Sequence, residues 1–433
     1  MNTIRKIVHF YILALFSLSI IFFYPGIFSG DTHFQYHEFI DHVYNDFQPV
    51  IMNIWWYFFR VKGSVFLVHL CFYYLGIWLI IASLLNKNRF FICLGMLIFF
   101  SNPLIAFNVL NVWKDIGMLS SLILCVGILI YIPKHPSKWL FGILLLVAFY
   151  GINVRYNAIF AFIPIIYYIV FLYLNIFMPK ITKKYILSFF ISIALIIGML
   201  FANWGITYKI FSAEFGYIQS INMRYDLSAI ECMTDYKYQM PKVFFAEPDK
   251  VEQEKKILCK NFSFEQSDSI FWWTPVNHLQ PFSSSITKDT FNLLRKEWVV
   301  TIIKYFPTYI SFRGKVFWHS LKTNNWYLAD YSGYFPEVMS KSVSVLNLFS
   351  KFFNHYLGLI FLILGCLNFI NKIFSKRLFT LSGIILLSSL FYELAWFVMI
   401  PVADSRYFLW VYCGIFLSFI LDSDKNQTNF LKK

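Results

Sequence analysis

The sequence predicts an all-α polytopic membrane protein with about ten transmembrane helices and one large insertion outside the membrane. Of its 433 residues, 58% are apolar and 21% aromatic, whereas only 14% are charged, against roughly 25% in soluble domains. Apolar runs also recur at the length that crosses a bilayer as a helix. So few charges exclude a soluble globular protein, because they could not cover its surface, and so many apolar residues exclude a disordered chain.

Ten apolar runs are predicted as spans, because a helix satisfies its own backbone hydrogen bonds inside the bilayer. They are residues 7–29, 64–85, 90–106, 116–133, 139–152, 158–178, 185–204, 352–370, 378–400 and 407–421. These spans predict three parts in the chain. The parts are an N-terminal transmembrane module at 1–204 with a periplasmic first loop at 30–63, a mainly helical or irregular periplasmic insertion at 205–351, and a C-terminal transmembrane module at 352–433.

Lysine and arginine are distributed unevenly between the connections that join the predicted spans. One side of the membrane collects 15 of the 37 basic residues, accompanied there by only two acids, Asp422 and Asp424. Cytoplasmic connections carry this kind of excess, so we expect a multi-pass protein of the bacterial inner membrane with both termini cytoplasmic. Most of the net charge of +14 is thus a topology signal. We therefore expect the lipid bilayer as a partner, and no nucleic acid.

The insertion contains two of the seven cysteines, Cys232 and Cys259. A periplasmic location permits oxidation, so these two are predicted to form a disulfide, and the five cysteines inside spans are predicted to be packing residues. Helical spacing of apolar residues over 292–321 predicts helices along the membrane interface, interrupted at Pro307. The stretch 241–290 is more polar and is predicted to form loops.

Three basic residues, Lys114, Arg155 and Arg406, abut predicted spans on the outer side, which basic residues usually avoid. A bound anion at that level would account for them. Arginine offers a two-pronged donor and lysine a compact charge, and both suit a lipid phosphate. The alternative is that these side chains anchor the helices at headgroup level without any specific ligand.

Asp31 follows the first predicted span within Gly30-Asp31-Thr32. A carboxylate at the mouth of the bundle, tuned by partial burial and by nearby cations, is suited to proton abstraction. Aspartate is also a favoured N-cap residue, and the residues after it look helical, so by spacing alone a capping role is favoured. The two roles are compatible.

His33, His37 and Asp41 recur at intervals of four residues, which places them on one face of a helix. Such a face could bind a divalent metal, and this is kept as a minor alternative. No known ligand spacing such as HExxH is present. We therefore expect a solvated amphipathic face and no metal site.

In these features the chain resembles the GT-C superfamily of polytopic glycosyltransferases, and more narrowly the bacterial and phage O-antigen glucosyltransferases that convert serotype. The matching segments are Ser29-Gly30-Asp31, Asp46-Phe47-Gln48-Pro49-Val50 before Trp55-Trp56, Lys114-Asp115, Arg155-x-Asn157-Ala158, the stretch 298–317, and Ser405-Arg406-Tyr407. The first loop departs from the pattern of protein mannosyltransferases, since it lacks their Asp-Glu pair after the first span.

The resemblance implies transfer of a sugar, a hexose with glucose favoured, from a polyprenyl-phosphate donor to a periplasmic glycan acceptor such as O-antigen. It implies that Asp31 is the catalytic general base and that Lys114, Arg155 and Arg406 bind the donor phosphate. The residues expected to line the acceptor side of the site are His33, His37, Asp46, Gln48, Asp115 and Asn157. Because the phosphate is a good leaving group, no cofactor is required.

Two other functions compete with this hypothesis. An O-antigen polymerase also handles polyprenyl-linked sugars at this face, but its loss shortens the polysaccharide instead of removing a side branch. A transporter of lipid-linked oligosaccharides ranks third, because such proteins usually place polar groups and broken helices near the midplane, often in repeated halves. Here Glu393 is nearly alone inside a predicted span, and no internal repeat is visible.

Overall fold

The computed structural model describes residues 2–85, 89–245, 248–265, 267, 270, 282, 286–322, 357–400 and 404–422. Within these ranges the chain is helical and contains no β-strand beyond three isolated bridges. The helices are α1 (Asn2–Phe23), α2 (Gly30–Asp41), α3 (Asn53–Phe59), α4 (Ser64–Leu84), α5 (Phe90–Phe100), α6 (Pro103–Val109), α7 (Lys114–Tyr131), α8 (Lys138–Asn153), α9 (Ala158–Phe177), α10 (Lys184–Gly205), α11 (Gln219–Met233), α12 (Val251–Asn261), α13 (Lys288–Lys304), α14 (Phe306–Lys322), α15 (Leu357–Phe374), α16 (Leu381–Met399) and α17 (Leu409–Asp422).

Seven helices in the described part of the chain are long and apolar enough to cross a membrane. They lie in α1, α4, α7, α9, α10 with the π-helical turn that extends it to Ile210, α15 and α16. The other three predicted spans fall on shorter helices, α5 with 11 residues, α8 with 16 and α17 with 14. The protein is thus an all-helical membrane protein, while the count of ten spans and the periplasmic placement of the insertion stay predictions.

The predicted span 90–106 is wrong as a single helix. Helix α5 ends at Phe100, and a new helix, α6, begins at Pro103. Proline has no backbone N–H and disfavours helical geometry in the residue before it, so it is favoured in the first turn of a helix. Because residues 90–106 are apolar on both sides of the break, their composition does not indicate it.

The centre of the bundle is the contact between α4 and α7, whose backbones approach closely. A Cβ atom at Gly76 would lie 2.7 Å from the backbone nitrogen of Leu124, and one at Gly127 would lie 2.7 Å from the carbonyl oxygen of Gly76. Small residues permit this approach between membrane helices, where van der Waals contact replaces the hydrophobic effect as the driving force. Helix α7 is accordingly buried along nearly its whole length.

A second group of contacts joins α16 to α9 and to α17. Side-chain hydrogen bonds reinforce it: the Ser388 hydroxyl donates to the carbonyl oxygen of Ala161, and the Trp410 indole donates to Ser388. In contrast, most apolar side chains of α1 and α10 are at least partly exposed. An apolar surface of this extent is suited to contact with lipid.

Four helices, α11 to α14, form the described part of the insertion. Helix α11 contacts the other three, and α14 also packs on α15 and α16, so the insertion rests on the C-terminal helices of the bundle. A disulfide joins Cys232 at the end of α11 to Cys259 in α12, with their Cα atoms 5.3 Å apart. This is the predicted pair.

Two sequence predictions for the insertion have different outcomes. The interruption at Pro307 is confirmed, since α13 ends at Lys304 and Pro307 lies in the first turn of α14. The prediction that 241–290 is loop-like is wrong for its middle part, where Val251–Asn261 is helical. Its buried side contains the charged residues Glu254 and Lys255 between Val251 and Leu258. The composition of the helix is therefore as polar as that of a loop.

Candidate functional site at one end of the bundle

Asp31 and Lys114 are brought together by a short pairing of backbone segments. Ile27 donates its N–H to the carbonyl oxygen of Leu110, and Val112 donates to that of Ile27, each at 3.0 Å. The hydroxyl of Thr32 then donates to the carbonyl oxygen of Val112 at 2.6 Å. The start of α2 is thus fixed against the start of α7.

Gly26 makes this pairing feasible. Its φ is +101°, which L side chains rarely adopt. A Cβ atom there would lie 2.5 Å from Val112 and 2.9 Å from Phe66. Glycine is therefore needed both for the turn and for the close contact with the segment that leads into α7.

Asp31 is not the N-cap of α2, and the capping role favoured from the sequence is wrong. Ser29 is the N-cap, and its hydroxyl accepts a hydrogen bond from the backbone N–H of Thr32. Asp31 lies in the first helical turn, where a negative charge interacts favourably with the helix dipole. Because a serine two residues earlier serves as the cap, the carboxylate of Asp31 is available for other contacts.

Lys114 lies between an acid and an amide. Its ammonium nitrogen is 3.7 Å from the Asp31 carboxylate and donates a 2.6 Å hydrogen bond to Oε1 of Gln48. The Lys114 side chain is 24% exposed and that of Asp31 is 51% exposed, whereas Gln48 is buried. A solvent-accessible carboxylate and a partly accessible cation therefore adjoin each other at this end of the bundle.

Arg155 is enclosed by the protein. Its guanidinium forms an ion pair with Asp115, the residue after Lys114, and its Nε donates to Oδ1 of Asn157 at 2.8 Å. The side chains of the pair are only 7% and 3% exposed. The guanidinium also lies over the rings of Trp396 and Tyr407, at 4.9 and 4.6 Å from their centroids. These contacts fix Arg155 as part of the framework of the site.

Arg406 approaches the same place from the segment that precedes α17. Its Nε lies 2.8 Å from a carboxylate oxygen of Asp404, which is buried, and its guanidinium lies 4.9 Å from the ring centroid of Trp113. Burial raises the pKa of Asp404, and the charge of Arg406 opposes that shift. The Arg406 side chain is 21% exposed, so it is more accessible than Arg155.

We refer to Asp31, Lys114, Asp115, Arg155, Asp404 and Arg406 as the charged cluster. Coulombic interactions link Lys114 with Asp31, Arg155 and Arg406, and link Asp404 with Arg155. The structure therefore brings together the three cations that the sequence singled out, with Asp31, Gln48, Asp115 and Asn157 beside them. Each cation has an acid as its neighbour, and the cluster carries no formal excess of positive charge.

The sequence prediction gave no role to four residues of this arrangement, Trp113, Trp396, Asp404 and Tyr407, although Tyr407 belongs to the matched segment Ser405-Arg406-Tyr407. Trp396 and Tyr407 stack with a centroid separation of 4.4 Å, and Arg155 contacts both rings. Trp113 and Asp404 adjoin the selected residues Lys114 and Arg406 in the chain, so proximity in sequence was an available signal for them. Trp396 gave no such signal, because one aromatic residue in an apolar span is ordinary.

Asp46 forms its hydrogen bonds with residues outside the charged cluster. Its carboxylate accepts hydrogen bonds from the Tyr208 hydroxyl and from the Gly216 N–H, and its carbonyl oxygen accepts one from the Tyr156 hydroxyl. These partners come from the end of α10, the connection to α11 and the connection before α9. Asp46 thus holds the first loop against other segments, and its place on the acceptor side stays a prediction.

The two predicted histidines lie on α2, outside the charged cluster's contacts. His33 is partly buried against the ring of Phe28, with 5.4 Å between centroids, and His37 is exposed. Among the described residues, no three His, Cys, Asp or Glu side chains are grouped so that they could hold a metal ion.

Comparison with protein-family models, curated proteins and solved structures finds no match to this chain. Its function must therefore be argued from the site. A carboxylate, an ammonium and two guanidinium groups meet beside aromatic rings at one end of a membrane bundle. Chemically, this arrangement can bind a phosphate at the membrane surface and can accept a proton next to it.

Proposed function

We propose that this protein is a membrane glycosyltransferase of the GT-C type. It transfers a hexose, with glucose favoured, from a polyprenyl-phosphate donor to a glycan such as O-antigen on the periplasmic side of a bacterial inner membrane. Both termini are then cytoplasmic. The observation that carries the proposal is the juxtaposition of Asp31 with Lys114 at 3.7 Å, next to Arg406.

Each group has a place in the reaction. An acceptor hydroxyl forms a bond from its oxygen to the anomeric carbon, and the bond from that carbon to the phosphate oxygen breaks. Asp31 accepts the hydroxyl proton as general base, and the electron pair of the broken bond stays on the leaving polyprenyl phosphate. Lys114 and Arg406 stabilise the negative charge that accumulates there. Because the phosphate departs readily, these cations suffice in the proposal and no cofactor is required.

Arg155 has an indirect role in this proposal. Its buried pair with Asp115 and its contacts with Trp396 and Tyr407 occupy the guanidinium. It therefore holds the ends of α7 and α16 and the segment before α17 in register, while the more exposed Lys114 and Arg406 contact the phosphate. Gln48 and Asn157 position Lys114 and Arg155, respectively, through their hydrogen bonds.

Activity of the purified protein in proteoliposomes tests the proposal. The donor is polyprenyl-phosphate glucose carrying a radiolabel, and the acceptor is a lipid-linked O-antigen saccharide. We expect transfer by the wild type and a loss of at least 100-fold in Asp31→Asn, because a general base usually contributes about 10²- to 10⁴-fold. Asp41→Asn is the matched control, because it removes an exposed acid from the same helix. Near-normal transfer by Asp31→Asn would remove the assignment.

A comparison of surface polysaccharide from cells with and without the gene separates this proposal from the polymerase alternative. Loss of a side-branch hexose, at unchanged chain length, is the outcome expected for the transferase. Shortened chains with unchanged composition would favour the polymerase.

A further inference from the structure

The charged cluster contains three cation–carboxylate pairs that differ in how firmly they are held. Asp115 and Asp404 are 3% and 1% exposed, and each lies against an arginine. Asp31 is 51% exposed and stands 3.7 Å from Lys114. An exposed pair at that distance contributes little free energy, because water and salt screen it. Of the three acids, Asp31 is thus the one most easily separated from its cation.

Lys114 would be kept in place if Asp31 were separated from it. The 2.6 Å hydrogen bond to Gln48 is shorter than the contact with Asp31, and Gln48 is itself buried. Lysine offers three donors on a compact charge. One donor therefore holds the ammonium to the first loop, while the others can turn to another acceptor.

From this geometry we infer that the phosphate of the lipid donor competes with Asp31 for Lys114. The arriving phosphate replaces Asp31 as the ion-pair partner of the Lys114 ammonium. The released Asp31 carboxylate can then turn toward the acceptor hydroxyl. Lys114 would thus couple donor binding to release of the base. This inference rests on the proposed function and adds to it an order of events.

Competition predicts a result that simple phosphate binding does not. If Asp31 occupies Lys114 in the free protein, its neutralisation strengthens phosphate binding. The size of the effect follows from the strength of an exposed ion pair, and corresponds to an affinity about two- to five-fold higher. In contrast, a residue that merely contacts the donor would weaken binding when it is changed.

The test measures binding of polyprenyl phosphate without sugar to the full-length protein in nanodiscs, by native mass spectrometry. Asp31→Asn should bind two- to five-fold more tightly than the wild type, and Asp41→Asn should bind like the wild type. Lys114→Met should bind more weakly, and adding Asp31→Asn to it should then give no gain. Asp31→Ser serves in the same role if Asp31→Asn does not fold.

A second arm replaces the lipid with inorganic phosphate, and a third uses phosphatidylglycerol. The donor carries a phosphate diester and the leaving polyprenyl phosphate a monoester, so tightening with phosphatidylglycerol as well as with the two monoesters supports competition by the donor phosphate. Tightening with the monoesters alone would assign the competition to the leaving phosphate and overturn the inference for donor binding. Unchanged or weaker binding of polyprenyl phosphate by both Asp31 variants would overturn the inference. Failure of the proposed function is a separate result, since it appears as transfer activity that persists in Asp31→Asn.

Discussion

Arg313 of α14 and Asp226 of α11 form an ion pair that is almost fully buried, with 2.6 Å between Nη2 and Oδ1. The Trp298 indole donates to the second carboxylate oxygen, and Nη1 of Arg313 donates to the carbonyl oxygen of Ile400 at 2.8 Å. This network joins three helices of the insertion's core to the end of α16. Ile400 lies four residues before Asp404 in the chain, so the network adjoins the segment that carries Asp404 and Arg406.

Replacing Arg313 with alanine should therefore lower the free energy of unfolding by about 3–5 kcal/mol, because Asp226 stays buried without its cation. Thermal unfolding of the detergent-solubilised protein measures the change. Arg295→Ala is the control, since it removes an exposed arginine from the neighbouring helix α13. Equal unfolding temperatures for the two variants would contradict the importance of the buried pair.

Lys114 and Arg155 have different roles in the proposal, since Lys114 binds the phosphate and Arg155 stabilises the structure around it. Arg155→Met leaves Asp115 buried and unpaired, so we expect a destabilisation of about 3–5 kcal/mol. Lys114→Met leaves a half-exposed Asp31 and an unpaired Gln48, so we expect only about 1 kcal/mol. Binding of polyprenyl phosphate should fall in Lys114→Met despite its near-normal stability. A larger loss of stability in Lys114→Met than in Arg155→Met would reverse these two roles.

The parts of the site that the sequence predicted are those whose signals are local. Lys114, Arg155 and Arg406 stand out because each lies at the edge of a long apolar run, and Asp31 because it follows the first one. The ends of spans on one side of a membrane necessarily lie at a similar depth. The sequence could therefore indicate that these residues share a level, although it did not specify which acid pairs with which cation.

The contacts of Asp46 show what a single sequence does not predict. Its partners Tyr208 and Gly216 are 162 and 170 residues away in the chain, and no periodicity relates positions so distant. Composition likewise concealed the break at Pro103 and the helix at Val251–Asn261. Long-range pairing and the ends of helices depend on tertiary contacts, which a single sequence does not display.

Asp46 should be important for the order of the first loop. In Asp46→Ala, the Gly216 N–H and the Tyr208 hydroxyl lose their acceptors, at a cost of about 1–3 kcal/mol for each group that stays buried. Hydrogen exchange followed by mass spectrometry should show faster exchange in residues 44–47 and 213–216. The exposed Asp41 again provides the control, as Asp41→Ala. Unchanged exchange in both segments would show that the carboxylate does not hold them together.

Glu38 provides a pH-dependent contact beside the same loop. Its side chain is buried, and one carboxylate oxygen accepts a 2.9 Å hydrogen bond from the backbone N–H of Asn45. Burial raises the pKa of Glu38 from 4.5 to about 7, and the hydrogen bond from Asn45 opposes the shift. Because the folded protein binds this proton more tightly than the unfolded chain does, stability falls as the pH rises from 4.5 through about 7. The contribution is at most about 3 kcal/mol.

Substitution of Glu38 by glutamine should remove that dependence, since the amide is neutral at every pH and its oxygen still accepts the hydrogen bond from Asn45. The measurement is the unfolding temperature at half-unit intervals between pH 4.5 and pH 8. The wild type should lose more stability than Glu38→Gln over this window, and the difference between the two curves isolates Glu38 from the groups that both proteins share. Parallel curves would show that Glu38 is ionised throughout the window, with its charge stabilised by the N–H of Asn45 alone.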